Sequence, residues 1–439
     1  MKKAILLSKG AILTMLDTTP TQPKEGYVGV VDGRIVMVSY EESQAEEFLK
    51  NHTEAQIIEC QGKIIMPGLI NTHCHVAMTL MRNYADDMEL MEWLTKHIWP
   101  FEAKLTDEDI AAGTRLGVAE MLMGGTTTFV DMYWSEYKIA EVVKQMGIRA
   151  MLTESVLDGR EELFVRDMDR LREVAAESSR VKVGVGPHAP YTCSPATLQL
   201  AVEYGAKHGL PVTIHLSETT NERPMIEERY GCSPLEYIDK HGALSSSTIL
   251  AHSIYLTEGE IQSIAQSGAS VAHNAQSNMK LASGVAPITK MSKCGVNCTI
   301  ATDGASSNND LDMWEEMRTT QFLQRAVQLD ALALPAYEIL RMATLNGARA
   351  VGMEGELGII KEGALADIIT VDCSAPHMRP RHNLISALVY CAKAHDVCDV
   401  VVDGVVRLRN RQLIGENIEQ ICRDAEQRSQ RIIDELKSN

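Results

Sequence analysis

The stretch Ile64-Ile65-Met66-Pro67-Gly68-Leu69-Ile70-Asn71-Thr72-His73-Cys74-His75 decides how the rest of the chain is read. Its apolar run passes through a Pro-Gly turn and resumes as a buried strand that ends in H-x-H. Side chains two apart on a strand share a face, so His73 and His75 point one way and Cys74 the other. Two imidazoles on one face can grip a metal ion, and neutral imidazole suits zinc, iron, nickel or copper. H-x-H alone fits a surface pair equally well. The reading therefore turns on whether other strand ends supply the missing ligands.

Working outward, further strand-like runs end at Asp131, Glu154, His188, His215, His252, His273 and Asp303. With the run ending at His73 they make eight, and amphipathic stretches such as 196–204 and 258–264 separate most of them. Eight β-then-α units predict a TIM-type (β/α)8 barrel, whose active site lies at the C-terminal ends of its strands. Every candidate strand ends on a polar or ionisable residue at that point. The connection from Val76 to about Gly125 is unusually long and carries Trp93, Trp99 and Glu102, as a lid or substrate wall would. For each Trp taken singly, simple packing of the loop is an equal reading.

The flanks read differently. Tyr27 to Val38 is a hairpin turning at Asp32-Gly33, and Asp399 to Arg407 repeats it around Asp403-Gly404, preceded by a strand at 366–371. A short sheet at each chain end would expose edges and a bare face, so the two are expected to join into one small β-sandwich. The expected organisation is 1–65 for the first part of the sandwich and 66–365 for the barrel. Residues 366–415 give the second part, and 416–439 a charged amphipathic helix.

Of the 439 residues, 45% are hydrophobic and 23% charged, as in an ordinary soluble globular protein. A formal charge of −17 argues against nucleic acid and against an anionic membrane surface as partners. Met1-Lys2-Lys3-Ala4-Ile5-Leu6-Leu7 opens like a signal peptide, but Ser8-Lys9-Gly10 breaks the apolar core. The ten cysteines are scattered without C-x-x-C pairs and read as reduced thiols, so a cytoplasmic location is expected.

His73, His75, His215 and Asp303 would converge inside the mouth of such a barrel. Three imidazoles and a carboxylate leave a divalent ion with an open position for water, the pattern of a catalytic site. His252, on a neighbouring strand end, could orient that water. Glu218, three residues past His215, could pass protons above it. For His252 taken alone, a buried histidine satisfied by hydrogen bonds is the alternative.

Those residues, together with His215-Leu216-Ser217-Glu218, Ala251-His252, His273-Asn274-x-x-Ser277-Asn278 and Thr302-Asp303-Gly304, resemble the amidohydrolase superfamily. Gly125-Thr126-Thr127-Thr128 and Ala343-Thr344-Leu345-Asn346-Gly347-Ala348 belong to the same pattern. Within the superfamily the chain is similar to the 5′-methylthioadenosine/S-adenosylhomocysteine deaminases over nearly its full length. The resemblance implies one divalent ion on His73, His75, His215 and Asp303, zinc foremost, with Fe2+ and Mn2+ as alternatives. Binuclear relatives carry a lysine at the end of the fourth strand, where this chain has His188. The resemblance further implies that Glu102 binds the ribose hydroxyls, His188 the purine, and Arg160 the 5′ substituent. The family is commonly oligomeric, although no interface can be read from this chain.

The implied reaction is hydrolytic deamination of a 5′-modified adenosine, with Glu218, His252 and Asp303 catalytic and Glu218 and Asp303 also touching the substrate. Members that accept S-adenosylhomocysteine often have arginine where this chain has Glu154. A carboxylate facing the pocket there would repel that substrate and could pair with Arg160; one facing away would not. The rival readings are another ring hydrolase (purine, pterin or triazine) and a non-catalytic binding relative.

Overall fold

The computed structural model describes residues 4–17 and 21–438; Met1, Lys2 and Lys3 of the opening stretch lie outside them. The chain divides into two compact units. One comprises Met1–Ile70, Glu120–Thr128 and Asp312–Glu416, the other Asn71–Ala119, Phe129–Leu311 and Asn417–Asn439.

The first unit is built on a nine-stranded sheet that draws strands from both ends of the chain. The join expected from the two exposed edges is made by Lys63–Pro67, which pairs antiparallel with Ile368–Asp372 from Ile64↔Val371 to Pro67↔Ile368. Both Asp-Gly hairpins form as read. Asp32 and Gly33 have φ of 50° and 87°, and Asp403 and Gly404 have 52° and 70°, the left-handed pair that a two-residue hairpin turn demands. These turns lie on separate hairpins of the sheet, yet they touch. A Cβ on Gly404 would stand 2.5 Å from the Gly33 Cα. The sheet thus folds over on itself and encloses a core that includes Val28, Val30, Ile64, Ile369 and Val400. The helices Met313–Gln328, Ala336–Met342 and Leu345–Ala350 cluster with this unit.

All eight expected barrel strands form: Leu69–Cys74, Thr126–Tyr133, Arg149–Val156, Val181–Pro187, Val212–Leu216, Thr248–His252, Ser270–His273 and Asn297–Ile300. They are hydrogen-bonded in chain order. Most are buried along their whole length, as strands covered on both faces must be. The ring closes between the last and first strands. Asp303 N–H donates to the His73 carbonyl at 3.0 Å, and Asn71 Nδ2 donates to Thr302 Oγ1 at 2.7 Å. Strand pleating sends Cys74 away from its histidine neighbours, as expected, and its thiol reaches Asp131 Oδ1 at 3.2 Å.

The long first connection forms a 3-10 turn (Val76–Met81), a chain of short helical turns (Leu90–Glu102) and the helix Asp107–Gly124. The C-terminal helix Ile418–Lys437 starts on an Asn417 cap. It is fixed by Arg428 and Arg431, which hold the fully buried Asp109 carboxylate at 3.1 and 2.6 Å. No helix among the described residues is long and apolar enough to cross a membrane.

Candidate active site

The first, fifth, sixth and eighth strand ends bring the expected donors together. His75 Nε2 lies 3.2 Å from Asp303 Oδ1 and 3.4 Å from His215 Nε2. His73 Nε2 stands 3.6 Å from the same Asp303 oxygen, and its ring meets His215 edge-on at 4.9 Å. Donor atoms of His73, His75 and Asp303 fall within 4.8 Å of one another, as do those of His73, His215 and His252. Gly304 leaves room for this approach, since a Cβ there would meet His75 Cβ at 3.4 Å and Met78 Sδ at 3.0 Å.

These donors fit a cation. His73 is fully buried, and neither of its ring nitrogens has a hydrogen-bond partner, an expensive state for an imidazole unless Nε2 is a ligand. His75 and His215 donate Nδ1–H to the carbonyls of Met132 (2.6 Å) and His188 (2.7 Å), which turns each Nε2 lone pair inward. Burial lowers His73 to about 4 and holds His215 well below its ordinary value, so both are neutral. Burial also works against charge on His75, but the Asp303 carboxylate outweighs it and brings His75 up to about 9. The Asp303 carboxylate thus favours positive charge at His75 Nε2, the atom that would offer its lone pair to a cation in the proton's place. Asp303 is held well below the carboxyl range by His73 and His75 despite its burial. Its Oδ2 accepts from Ser277 Oγ (2.6 Å) and Ser307 Oγ (3.0 Å).

His252 donates Nδ1–H to Asn278 Oδ1 at 2.8 Å, leaving Nε2 free, 3.8 Å from Glu218 Oε2. Burial raises the Glu218 carboxyl above its usual range, the direction that favours a proton donor. The site depends on unusual backbone: Ser217, His252 and Asp303 have φ of 51°, 66° and 63°. Non-glycine residues hold that left-handed conformation at a cost, and such residues cluster at functional sites.

A cavity open at its mouth is lined by His75, His215, Glu218, His252 and Asp303 together with residues of the long connection. Trp93 and Trp99 both belong to its wall. Glu102 reaches it too, accepting from Tyr133 Oη at 2.8 Å. His188 lines it as a neutral ring that burial lowers to about 3, with Nδ1 2.9 Å from Thr192 Oγ1.

Arg160 and Glu154 lie off the cavity wall. Arg160 is not on the wall; its guanidinium stacks 3.9 Å from the Trp134 ring, which is. Glu154 faces behind its strand, where its carboxylate accepts from Ser135 N (3.2 Å) and Glu136 N (2.8 Å) at the start of the helix Glu136–Met146. Its neighbour Ser155 takes the pocket side. Of the two readings of Glu154, repulsion of a substrate carboxylate and pairing with Arg160 is the one this geometry removes.

Sequence reasoning missed the second layer. Glu222, 2% exposed, accepts the backbone N–H groups of Ser217 (2.9 Å) and Glu218 (3.1 Å) and so fixes the loop carrying the Glu218 carboxyl. Ser277, Asn278, Ser307 and Tyr133 were not given roles either. A signal existed for Ser277 and Asn278. They stand about one helical turn past His273, where a short helix after a strand end faces the barrel mouth.

The model of the amidohydrolase family matches residues 64–407. The chain is 41% identical over 431 residues to a 5-methylthioadenosine/S-adenosylhomocysteine deaminase of Desulfitobacterium hafniense, covering 97% of this chain and 98% of that one. It is 44% identical over 386 residues to the enzyme of the same name from Dictyoglomus thermophilum, covering 86% and 89%. Among solved structures, an adenosine deaminase from Xanthomonas campestris with bound zinc superposes with a TM-score of 0.93 at 36% identity, covering 98% of both chains. An atrazine chlorohydrolase of Arthrobacter aurescens, at 23% identity and a TM-score of 0.86 over 97% of this chain and 100% of that one, shares the fold. With its strand-end histidines converging as they do, and a family match over most of its length, the chain belongs to the amidohydrolase family.

Proposed function

We propose that this protein hydrolyses the amino group of 5′-modified adenosines, among them 5′-methylthioadenosine, S-adenosylhomocysteine, 5′-deoxyadenosine and adenosine, to the inosine analogue and ammonia. The observation that carries the reading is Glu102. It opens into the cavity that also holds His75, His215, Glu218 and Asp303, and a ribose diol is what such a carboxylate binds. A free base or a triazine offers it nothing.

His73, His75, His215 and Asp303 would hold the divalent ion, zinc by the donor set. When bound, such an ion lowers the pKa of a coordinated water from about 15.7 to about 7. Asp303, anionic and anchored through Oδ2, receives a proton at Oδ1, and His252 Nε2 steadies the attacking oxygen. Glu218, carrying its proton, delivers it to the ring nitrogen beside the carbon that bears the amino group; the proton held by Asp303 then passes to the amino group, the C–N bond breaks to release ammonia, and the remaining hydroxyl proton returns to Glu218. Glu102 fixes the ribose and His188 the purine, while Trp93 and Trp99 shield the ring from water.

Arg160 supports the 5′ substituent from its place against Trp134, by stacking and by charge. With Glu154 turned away, nothing on that strand repels a carboxylate-bearing 5′ group, so S-adenosylhomocysteine belongs among the substrates.

The test follows loss of adenine absorbance with zinc-loaded protein on adenosine, 5′-deoxyadenosine, 5′-methylthioadenosine, S-adenosylhomocysteine, adenine and guanine. Turnover of the nucleosides but neither base is expected. Turnover of guanine alone, or silence across the panel with metal bound, would overturn the reading.

A further inference from the structure

Outside the barrel mouth, a second set of metal-ligating side chains comes together in the unit that holds the nine-stranded sheet: His377, His395 and Asp396. We propose that these three residues form a second transition-metal site, a clip that closes the connection between two neighbouring strands of that sheet.

The chain geometry makes the case. Strands Ile368–Asp372 and Val397–Val402 are antiparallel neighbours, and the segment between them contains the helix Leu384–Tyr390. That segment leaves its first strand through the 3-10 turn Pro376–Met378 and returns through the 3-10 turn Ala394–Asp396. His377 sits in the outgoing turn, and His395 and Asp396 in the returning one, so the three donors join the two ends of the excursion. A link at that point closes a long loop, the arrangement in which a metal clip restricts the unfolded chain most.

The carboxylate is prepared for the role. Asp396 is 3% exposed, and its Oδ2 accepts from Lys393 N at 2.9 Å and from His377 Nε2 at 2.8 Å. Its Oδ1 faces His395 Nε2 at 3.8 Å, and the two imidazoles stand 5.8 Å apart at 64°. In a tetrahedral site with bonds near 2.1 Å, donors lie about 3.4 Å apart. The spacings to the two Asp396 oxygens, 2.8 Å from His377 and 3.8 Å from His395, lie on either side of that value, and both imidazoles are exposed and have room to turn towards a shared ion. The ion would displace the proton now shared by His377 Nε2 and Asp396 Oδ2, with the imidazole hydrogen moving to Nδ1. Exposed rings leave the remaining positions to water, so the site takes ions that favour imidazole, Zn2+, Ni2+ and Cu2+ above Mg2+ or Ca2+.

The inference does not depend on the proposed reaction. Protein carrying one equivalent of zinc is titrated with zinc chloride by calorimetry, with metal counted after dialysis and the thermal midpoint followed alongside. A second, weaker equivalent per chain is expected, accompanied by a rise in the midpoint. The variant His395→Gln keeps the His377–Asp396 hydrogen bond and hence the local fold. It should lose the second equivalent and the midpoint rise while retaining the first equivalent and wild-type turnover. Saturation of the wild type at one equivalent, or a second equivalent that survives in His395→Gln, would overturn the proposal.

Discussion

Glu222 touches neither metal ligands nor cavity, yet the geometry makes it the residue that aims Glu218. Its two oxygens take the backbone N–H groups of Ser217 and Glu218, the first of which has a left-handed φ of 51°. Glu222→Gln keeps one acceptor and replaces the other with an amide that presents hydrogen to hydrogen. Above about pH 7, where Glu222 is ionised, a lost hydrogen bond to the charged group costs about 1.5–3 kcal/mol. If that cost is spent in letting the loop leave its strained conformation, turnover should fall by about 10- to 150-fold at roughly 1.4 kcal/mol per decade. The effect must not exceed that of Glu218→Gln, because Glu222 acts only through Glu218. The double variant Glu218→Gln/Glu222→Gln should therefore be no slower than Glu218→Gln alone. Initial rates on 5′-methylthioadenosine, with zinc content measured for each protein, read this directly. Burial outweighs the two hydrogen bonds and brings Glu222 up to about 7. A carboxyl raised in the fold contributes stability that is full below about 4.5 and is lost as pH rises towards about 7. Glutamine lacks that loss, so the variant should gain on the wild type in thermal stability between those pH values. A folded, zinc-replete Glu222→Gln protein within twofold of wild-type turnover would refute the reasoning.

Other expectations follow from the same geometry. Glu218→Gln should keep its zinc and lose at least about 100-fold in turnover, the low end of what a positioned general acid contributes; atomic absorption and steady-state rates check both halves. Asp303→Ala or His73→Ala should lose the metal itself, and chelation of the wild type should abolish activity that added zinc restores. Arg160→Ala should lower kcat/KM for S-adenosylhomocysteine more than for 5′-methylthioadenosine, whereas Glu154→Gln should leave their ratio unchanged, since its carboxylate serves the helix start at Glu136. Arg431→Ala removes one of the two arginines that face the fully buried Asp109, leaving it Arg428 and the Thr106 N–H and hydroxyl, and should lower unfolding stability by about 1.5–3 kcal/mol in denaturant melts.

The barrel was legible because its strands are short apolar runs that each end on a polar or ionisable residue, and periodicity of two then decides direction: His73 and His75 inward, Cys74 outward to Asp131. The sheet joining both chain ends was legible for a negative reason, that neither half could leave its edge open, and the pairing of Lys63–Pro67 with Ile368–Asp372 fulfils it. Glu154 shows where such reasoning stops. Its place at a strand end fixed its height in the barrel but not its face. The adjacent Ser155 lines the cavity while Glu154 turns back to two helix-start N–H groups. The same limit hid Glu222, whose function is to hold backbone, because backbone N–H groups leave no mark in a sequence.

This contrast explains how the ligand set and the second layer divide the work. The ligands must be particular side chains at particular strand ends, so their pattern shows in one dimension. The residues that hold them act through atoms every residue carries, the carbonyls of Met132 and His188 and the amides of Ser217 and Glu218. Position alone selects those atoms, and position comes only with the fold. A carboxylate such as Glu222 is then constrained by what it receives. Its replacement should be tolerated where the loop can keep its left-handed turn and costly where it cannot, which is why the Glu222 series tests the backbone at Ser217 as much as the acid at Glu218.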